Sequence, residues 1–241
     1  MTTYEQQVHC RAVDIDIDFW RTPEGVAIPD DELRFLLVPD SVEAMMVGAV
    51  AAQIKAFQES ANEPVTRALM VAMGGLLPGI LLYDHLAHMP SLPHIAFGSI
   101  GVSLYAGPGQ RHPRPRVVQE STVDIKNEVV LLIDDLGDRG DTLRFLSDHI
   151  TEQGARRVMS LVLFMKPRAK TVYPADFCFG ELAQDTWIIT PREYVETMAK
   201  RIPVWKQRGA TQAECERRLV DLIGYPPHLV DTYLETLFEQ D

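Results

Sequence analysis

The sequence predicts an α/β fold with a parallel-rich central sheet flanked by helices. Three apolar runs of strand length support this class: RALMVAM (67–73), VVLLI (129–133) and RVMSLVLFM (157–165). The segments between such runs have helical periodicity. Continuous apolar strands that alternate with helices are typical of a parallel sheet that is covered on both faces.

The individual elements follow from local signals along the chain. Ser41 is a plausible N-cap for a first long helix, Pro78 lies in the first turn of a second, and Gly154 ends a third. VDIDID (13–18) alternates in the manner of an edge strand. The main elements predicted before Pro191 are helix 41–58, strand 67–73, helix 77–87, strand 94–105, strand 129–133, helix 142–154 and strand 157–165. After Pro191 the pattern becomes helical.

The chain divides by pattern into three parts, which are an N-terminal extension (1–40), a core (41–192) and a C-terminal helical extension (193–241). Within the core, residues 106–124 are rich in Pro and Arg and lack periodicity. A loop of this length inside a compact domain is usually functional or disordered. We therefore expect a structureless segment here that acts as a lid.

Composition limits the classes of function. The formal net charge is -11, which argues against general binding of nucleic acid. The three cysteines have no paired spacing, as expected in a reducing compartment. The N-terminus has no signal-peptide pattern, and no apolar run approaches the ~20 residues that cross a bilayer. We expect a cytoplasmic protein without membrane contact.

Two adjacent carboxylates stand where the strand VVLLI ends. Asp134 and Asp135 are followed by the turn GDRGDT, which lacks the GK[ST] ending of a nucleotide-binding P-loop. Backbone N–H groups of residues 139–142 and the dipole of the following helix can hold one phosphate. The two carboxylates can bind vicinal hydroxyls, or Mg²⁺ through water. Together these features suit a ribose 5-phosphate.

The segment LLIDDLGDRGDTL (131–143) resembles the signature of type I phosphoribosyltransferases, which use phosphoribosyl pyrophosphate (PRPP). Three further segments occur in the family's order: VAMGGLLPG (71–79), LFMKP (163–167) and QDTWI (184–188). They are similar to the pyrophosphate loop, the lysine-bearing strand and the purine-stacking segment of bacterial xanthine-guanine (6-oxopurine) phosphoribosyltransferases. The resemblance covers roughly residues 41–192.

The resemblance implies Mg²⁺-dependent transfer of a phosphoribosyl group from PRPP to a 6-oxopurine base in purine salvage, with release of pyrophosphate. Xanthine or guanine is favoured, and hypoxanthine is a further candidate. A homodimer or homotetramer, with a small hood from the flanking segments over the base site, is expected. Two alternatives remain open: a regulatory protein that senses PRPP or a nucleotide without turnover, and a phosphoribosyltransferase for another base.

The same resemblance assigns roles to individual residues. Asp138 is the expected catalytic acid/base at purine N7. Lys166, Trp187 and Ile188 are expected to contact the base through O6, the ring face and the C2 substituent respectively. Met73 and Gly74 are expected to offer N–H groups to pyrophosphate across a cis peptide bond. The full set expected to bind PRPP is Met73, Gly74, Gly75, Asp134, Asp135, Arg139, Gly140, Asp141 and Thr142, with Mg²⁺ held by Asp134 and Asp135.

Three positions depart from the family pattern. Met73 stands where the bacterial enzymes carry an arginine in the pyrophosphate loop. Arg139 replaces a hydroxyl residue that contacts the 5-phosphate, and a guanidinium has a different hydrogen-bonding geometry. Asp141 adds a negative charge beside the phosphate cradle.

Overall fold

The computed structural model describes residues 15–89, 92–107 and 110–239, and it confirms the predicted α/β class. These residues form two compact units. The central unit comprises Asp16–Arg21 and Ala44–Gln184, and the flanking unit consists chiefly of Thr22–Glu43 together with residues 185–239.

The strands and helices of both units are numbered in chain order. The strands are β1 (Val26–Ala27), β2 (Arg34–Leu37), β3 (Arg67–Ala72), β4 (Ala96–Gly107), β5 (Gln110–Gln119), β6 (Val129–Ile133), β7 (Leu136–Gly137), β8 (Arg157–Met165), β9 (Phe177–Glu181) and β10 (Thr186–Ile189). The α-helices are α1 (Asp40–Ser60), α2 (Leu76–Ala87), α3 (Asp141–Glu152), α4 (Pro167–Val172), α5 (Tyr194–Gln207), α6 (Gln212–Arg217) and α7 (Pro227–Glu239). A 3-10 helix (Phe19–Arg21) precedes β1, and a π-helix (Arg218–Ile223) follows α6.

The central unit is built on a seven-stranded sheet. Its strand order is β5-β4-β3-β6-β8-β7, with β9 also paired to β8. All neighbours are parallel except β4 and β5. All five residues of β6 are buried, as are the last seven of β8. This explains why β6 is entirely apolar and why the buried part of β8 is apolar except for Ser160.

Helix α3 covers part of this sheet with a single apolar stripe. Leu143, Leu146 and Ile150 are buried at spacings of three and four residues, so they lie on one face of the helix. They belong to a hydrophobic cluster with residues of the sheet that include Leu132 and Val162. The packing of this face fixes the start of α3 beside the carboxyl end of β6.

The prediction of a structureless segment at 106–124 is wrong for residues 106–107 and 110–119, which are strand, whereas residues 120–124 form neither helix nor strand. Residues 110–119 form β5, which pairs antiparallel with β4 through Val102 opposite Val117 and Ser103 opposite Arg116. Because β5 is the edge strand of the sheet, Pro113 and Pro115 can be accommodated although they have no N–H to donate. Residues 108 and 109 lie outside the described residues.

The edge strand predicted at 13–18 is also wrong where it can be checked. Residues 13 and 14 lie outside the described residues, and residues 15–18 form a bend and a turn. The Asp16 carboxylate accepts hydrogen bonds from the backbone N–H groups of Asp18 and Phe19, at 3.1 and 3.2 Å. This local side-chain bonding competes with strand formation.

The flanking unit has its own sheet and its own core. Strand β2 lies between β1, to which it is antiparallel, and β10, to which it is parallel. Phe35 of β2 packs edge-on against Trp205 of α5, with 5.9 Å between the ring centroids. Helices α5, α6 and α7 together with the π-helix supply most of the remaining buried side chains of this core.

The sequence-based division at residues 40 and 192 stays a prediction. Thr22–Glu43 and residues 185–239 belong to one compact unit, whereas the predicted parts are continuous along the chain. Among the residues that the structure describes, no helix has both the length and the hydropathy that a membrane span requires.

A buried ionic cluster joins the two sequence segments of the flanking unit. The Asp31 side chain is fully buried and accepts hydrogen bonds from the guanidinium of Arg201 and from Nε1 of Trp205, the latter at 2.6 Å. The backbone N–H of Leu33 donates to the same carboxylate at 3.0 Å. Burial opposes ionisation of Asp31, but these hydrogen bonds and the arginine charge outweigh it and hold its pKa below the usual value.

We expect Asp31→Asn to lower the free energy of unfolding by about 3 kcal/mol at pH 7, because it leaves the buried Arg201 with only a distant charged partner, Oε1 of Glu32 at 4.0 Å. A carboxyl whose pKa is lowered by folding stabilises the fold above its unfolded pKa. The difference between wild type and variant should therefore persist down to about pH 4 and shrink as the pH falls further, below the ordinary value of 3.8. Urea unfolding at several pH values measures this difference in the free energy of unfolding.

The exposed pair of Arg34 and Glu24 provides the control, since Glu24→Gln should change stability little. A pH-independent difference would contradict the assignment.

Candidate active site

The carboxylate pair stands at the carboxyl end of the central sheet. Asp134 follows directly on β6, and its backbone N–H donates to the carbonyl of Leu161 in β8 at 3.0 Å. The carbonyl of Asp135 accepts from the N–H of Leu163, also at 3.0 Å. Asp134 Oδ1 accepts the N–H of Asp135 at 3.0 Å. The backbone of both residues is thus held by the neighbouring strand, with Asp134 buried and Asp135 partly exposed.

The glycine loop after β3 approaches this pair closely. Strands β3 and β6 are parallel neighbours, so their carboxyl ends meet at one edge. A Cβ added to Gly74 would lie 2.4 Å from Oδ1 of Asp134 and 2.5 Å from Oδ1 of Asp135. A Cβ added to Gly75 would lie 1.9 Å from the carbonyl oxygen of Ile133. Only glycine fits at these two positions.

Met73 begins the same loop with a different character. A cis peptide bond joins it to Ala72, and its side chain is 75% exposed. The loop therefore presents an apolar side chain at the position where the resemblance leads one to expect an arginine.

A turn into a helix N-terminus follows the carboxylates. Gly140 precedes α3 with φ of +82°, a conformation that favours glycine, and a Cβ there would lie 3.2 Å from the carbonyl of Ala169. No side chain caps the first turn. Its backbone N–H groups, including those of Asp141 and Thr142, have no partner within the helix and can bind an anion.

Arg139 lies beside this turn. Its Nε lies 3.4 Å from Oδ2 of Asp141. This nitrogen has no hydrogen-bond partner among the described residues. Asp141 is exposed, so its charge is directed mainly to solvent and to this guanidinium.

The expected acid/base residue and an expected base-binding residue are in direct contact. Lys166 Nζ lies 2.8 Å from Oδ1 of Asp138, and the lysine side chain is 9% exposed while the aspartate side chain is 47% exposed. The backbone N–H of Lys166 donates to the carbonyl of Gly137 at 2.8 Å. Because β7 and β8 are paired at this point, the strand geometry fixes the spacing of the two side chains.

Trp187 and Ile188 belong to β10 in the flanking unit. Trp187 is paired with Phe35 and Ile188 with Leu36 of β2. Ile188 is buried, whereas the Trp187 ring is half-buried. Two residues of α5 contact this ring, Thr197 and Lys200. Neither belongs to a motif that could have been recognised in the sequence, since each is an ordinary residue on a helix.

The donor set at the strand end suits a hard cation that retains other ligands. Among the described residues, no group of three or more His, Cys, Asp and Glu side chains forms a candidate metal site. Asp134 and Asp135 direct one oxygen each toward Gly74. Two carboxylate oxygens, completed by water and substrate phosphate, are a usual arrangement for Mg²⁺.

Carboxylates, a glycine loop and a free helix N-terminus at the carboxyl edge of a parallel sheet are typical of proteins that bind phosphorylated ligands. Residues 46–195 match the family of the phosphoribosyl transferase domain, and the chain belongs to this family. The match confirms the resemblance drawn from the sequence and the predicted enzyme class, phosphoribosyltransferase.

Curated relatives agree with this assignment, and solved structures share the fold. The chain is 27% identical to a xanthine-guanine phosphoribosyltransferase of Gluconobacter oxydans, over 53% of this chain and 68% of the relative. It is equally similar to the enzyme of that name from Idiomarina loihiensis, over 54% and 75%. A purine phosphoribosyltransferase from Pyrococcus horikoshii superposes with a TM-score of 0.52 at 23% identity, over 65% of this chain and 92% of that one.

A hypothetical protein from Neisseria gonorrhoeae with bound ppGpp superposes with a TM-score of 0.55 at 17% identity, over 74% of this chain and 98% of that one. At such identities the two structural similarities concern the fold alone.

Proposed function

We propose that the protein catalyses Mg²⁺-dependent transfer of the phosphoribosyl group of PRPP to a 6-oxopurine in purine salvage, with release of pyrophosphate. The observation that carries the proposal is the convergence of Asp134 and Asp135 on the backbone of Gly74, beside the N-terminus of α3. This arrangement offers separate places for a diol, a pyrophosphate and a phosphate. Xanthine and guanine are the favoured bases, with hypoxanthine a further candidate, because two relatives are named xanthine-guanine phosphoribosyltransferases.

The proposed contacts with PRPP follow the site from one side to the other. Backbone N–H groups of Met73, Gly74 and Gly75 bind the pyrophosphate. Asp134 and Asp135 bind the ribose hydroxyls and hold Mg²⁺, which supplies positive charge to the leaving pyrophosphate. The turn from Arg139 to Thr142 binds the 5-phosphate at the start of α3, where the helix dipole favours negative charge.

The proposed contacts with the base use the remaining predicted residues. Asp138 accepts and returns the proton at purine N7, and Lys166 donates a hydrogen bond to O6. Trp187 stacks on the ring, and the carbonyl of Ile188 accepts from the group at C2. The 2.8 Å contact between Lys166 and Asp138 supports the pairing of these roles, since O6 and N7 are adjacent on the edge of a purine.

We expect Trp187→Ala to raise the KM for the purine about ten-fold or more, because stacking of a base on an aromatic side chain is worth roughly 1–3 kcal/mol. The KM for PRPP should change little. Trp187→Phe retains an aromatic face and should raise the purine KM less than Trp187→Ala does. Steady-state kinetics with each substrate varied in turn provides the measurement. Equal purine KM values in wild type and Trp187→Ala would remove Trp187 from the site.

The experiment that tests the proposed reaction measures pyrophosphate release from PRPP and Mg²⁺ in the presence of xanthine, guanine, hypoxanthine, adenine and uracil, one at a time. Release with at least one 6-oxopurine is expected, and it should fall to background when EDTA removes the metal. Release with uracil or adenine alone would favour a phosphoribosyltransferase for another base.

Met73 supports the second candidate, a protein that binds PRPP or a nucleotide as a signal. Its exposed, uncharged side chain gives the pyrophosphate loop less positive potential than an arginine would. Binding of PRPP in calorimetry without release of pyrophosphate with any base would establish that alternative.

A homodimer or homotetramer and a cytoplasmic location remain predictions. Light scattering of the purified protein tests the predicted oligomeric state.

A further inference from the structure

The indole of Trp187 is held by side chains that lie beyond the matched family domain. Its Nε1 donates a hydrogen bond to Oγ1 of Thr197 at 3.0 Å, and the ammonium of Lys200 lies over the ring, 5.6 Å from the centroid. Both side chains are on α5, one turn apart, whereas the family match ends at residue 195. The contacts therefore come from the part of the chain that the family pattern does not cover.

Thr197 is fixed in its turn by further contacts within the flanking unit. It is fully buried, and its backbone N–H donates to the carbonyl of Glu193 at 2.8 Å. The Thr197 side chain also partly offsets the rise that burial causes in the pKa of the neighbouring Tyr225 phenol. The phenol donates to the carbonyl of Tyr194, at the start of α5, at 3.2 Å. Burial raises the pKa of Tyr225, so the phenol keeps its proton at all ordinary pH values. Burial and the packing around Thr197 thus hold the acceptor that binds the indole.

Lys200 is also constrained. Its ammonium forms an ion pair with Glu196, one turn earlier on α5. A lysine that is already paired loses less side-chain freedom when it stays near an aromatic ring. The backbone of Trp187 is held separately through its pairing with Phe35. Backbone, ring nitrogen and ring face are thus each restrained by a different group.

A comparison with Trp205 shows why these contacts suggest more than core packing. Trp205 is also on α5, and its Nε1 is also bonded, in this case to Asp31. However, Trp205 is completely buried, whereas the Trp187 ring remains partly accessible. A ring whose orientation is fixed while part of it stays accessible is suited to stacking with a planar ligand.

We propose that α5 is a component of the base-binding site, in which Thr197 and Lys200 are positioning residues that hold the Trp187 ring ready for a planar purine. The inference rests on the proposed function, because it requires that Trp187 stacks on the base. It extends that function to helix α5, whose residues carry no expected role from the family. Affinity then arises partly from preorganisation, since the ring does not have to be ordered when the base binds.

The first test compares variants of Thr197 in the complete protein. Thr197→Val retains the shape but removes the acceptor, and we expect the KM for the purine to rise about five-fold, the ratio that one hydrogen bond is generally worth. The values of kcat and of the KM for PRPP should stay close to wild type. Thr197→Ser retains the hydroxyl and should restore the purine KM. A variant that affected only folding would lower the amount of active protein without this selective change in KM.

The second test uses Lys200, which is exposed and can be changed without entering the core. Lys200→Met should raise the purine KM about three-fold, in line with a cation–π contact at a partly exposed site. The matched control is Lys206→Met, on the same helix, whose ammonium lies 5.4 Å from the ring centroid of Phe238. That variant should leave the purine KM unchanged. The comparison of Lys200→Met with Lys206→Met tests the proposed role of α5 even if Thr197→Val yields little folded protein.

A readout that does not depend on activity is the indole N–H signal in ¹⁵N NMR spectra. The chain has three tryptophans, so Trp187→Phe identifies the signal of Trp187 by its loss. This signal should shift in Thr197→Val and also when guanine is added to the wild-type protein. The inference is overturned if Thr197→Val moves the signal while both Thr197→Val and Lys200→Met keep the wild-type purine KM. If Trp187→Ala itself has no effect on that KM, the assigned stacking role fails instead.

Discussion

Replacement of Asp138 by Asn is expected to lower kcat by about 10²–10⁴, the usual contribution of a group that transfers a proton in the transition state. The amide has nearly the same shape as the carboxylate, but it can neither accept the N7 proton nor form the 2.8 Å ion pair with Lys166. Binding of PRPP should be nearly unchanged, because its proposed contacts lie with Asp134, Asp135 and the start of α3. Single-turnover kinetics and PRPP titration measure the two quantities separately.

The control for Asp138 is Asp148→Asn. Asp148 is an exposed carboxylate on α3, and its loss changes the net charge by the same amount without touching the site. Asp148→Asn should turn over at the wild-type rate. Wild-type turnover by Asp138→Asn would show that the proton at N7 is handled by another group or by water.

Gly74→Ala is expected to lower kcat/KM for PRPP by about 10²-fold, because a displacement of about 1 Å in a catalytic group can cost that much. The new methyl carbon would lie 2.4 Å from Oδ1 of Asp134 and 2.5 Å from Oδ1 of Asp135. Carbon and oxygen atoms do not approach so closely, so the loop and the carboxylates must move apart. The groups proposed to bind pyrophosphate, ribose and Mg²⁺ would then lose their mutual geometry.

Gly48→Ala provides the matched control for Gly74→Ala. Gly48 lies within α1, and a Cβ there would meet its nearest neighbour, Cε1 of His85, at an ordinary 3.7 Å. Activity should be unchanged, and stability should stay the same or rise by up to about 1 kcal/mol, because alanine favours helix more than glycine does. If Gly74→Ala is as active as Gly48→Ala, the close approach of loop and carboxylates has no part in substrate binding.

The parts of the fold that follow from local composition could be predicted from the sequence. Strands β6 and β8 have the predicted limits, since a short, mostly apolar run is stable inside a parallel sheet. Strand β5 could not be predicted in this way. Its polar residues and prolines are tolerated only because it lies at an edge, and a position at an edge depends on the whole sheet.

The same distinction applies to the candidate site. Asp134, Asp135 and the turn into α3 are contiguous, so their chemistry could be predicted from one stretch of sequence. The contact between Lys166 and Asp138 depends on the register of β7 and β8, whereas motif order indicated only that both residues belong to the base site. Thr197 and Lys200 carry no such signal. Their role depends on how α5 packs against β10, which no local pattern specifies.

The pairing of β2 with β10 has a consequence for the order in which the chain folds during synthesis. Phe35 and Trp187 are partners in this sheet, although the whole central sheet, β3 to β9, is encoded between them. The strands of the central sheet are therefore all synthesised before β10. Until β10 emerges from the ribosome, one edge of β2 remains unpaired. Closing so long an intervening loop is slow. We expect the central unit, with the proposed phosphate-binding turn, to form on the ribosome before Trp187 is paired with Phe35.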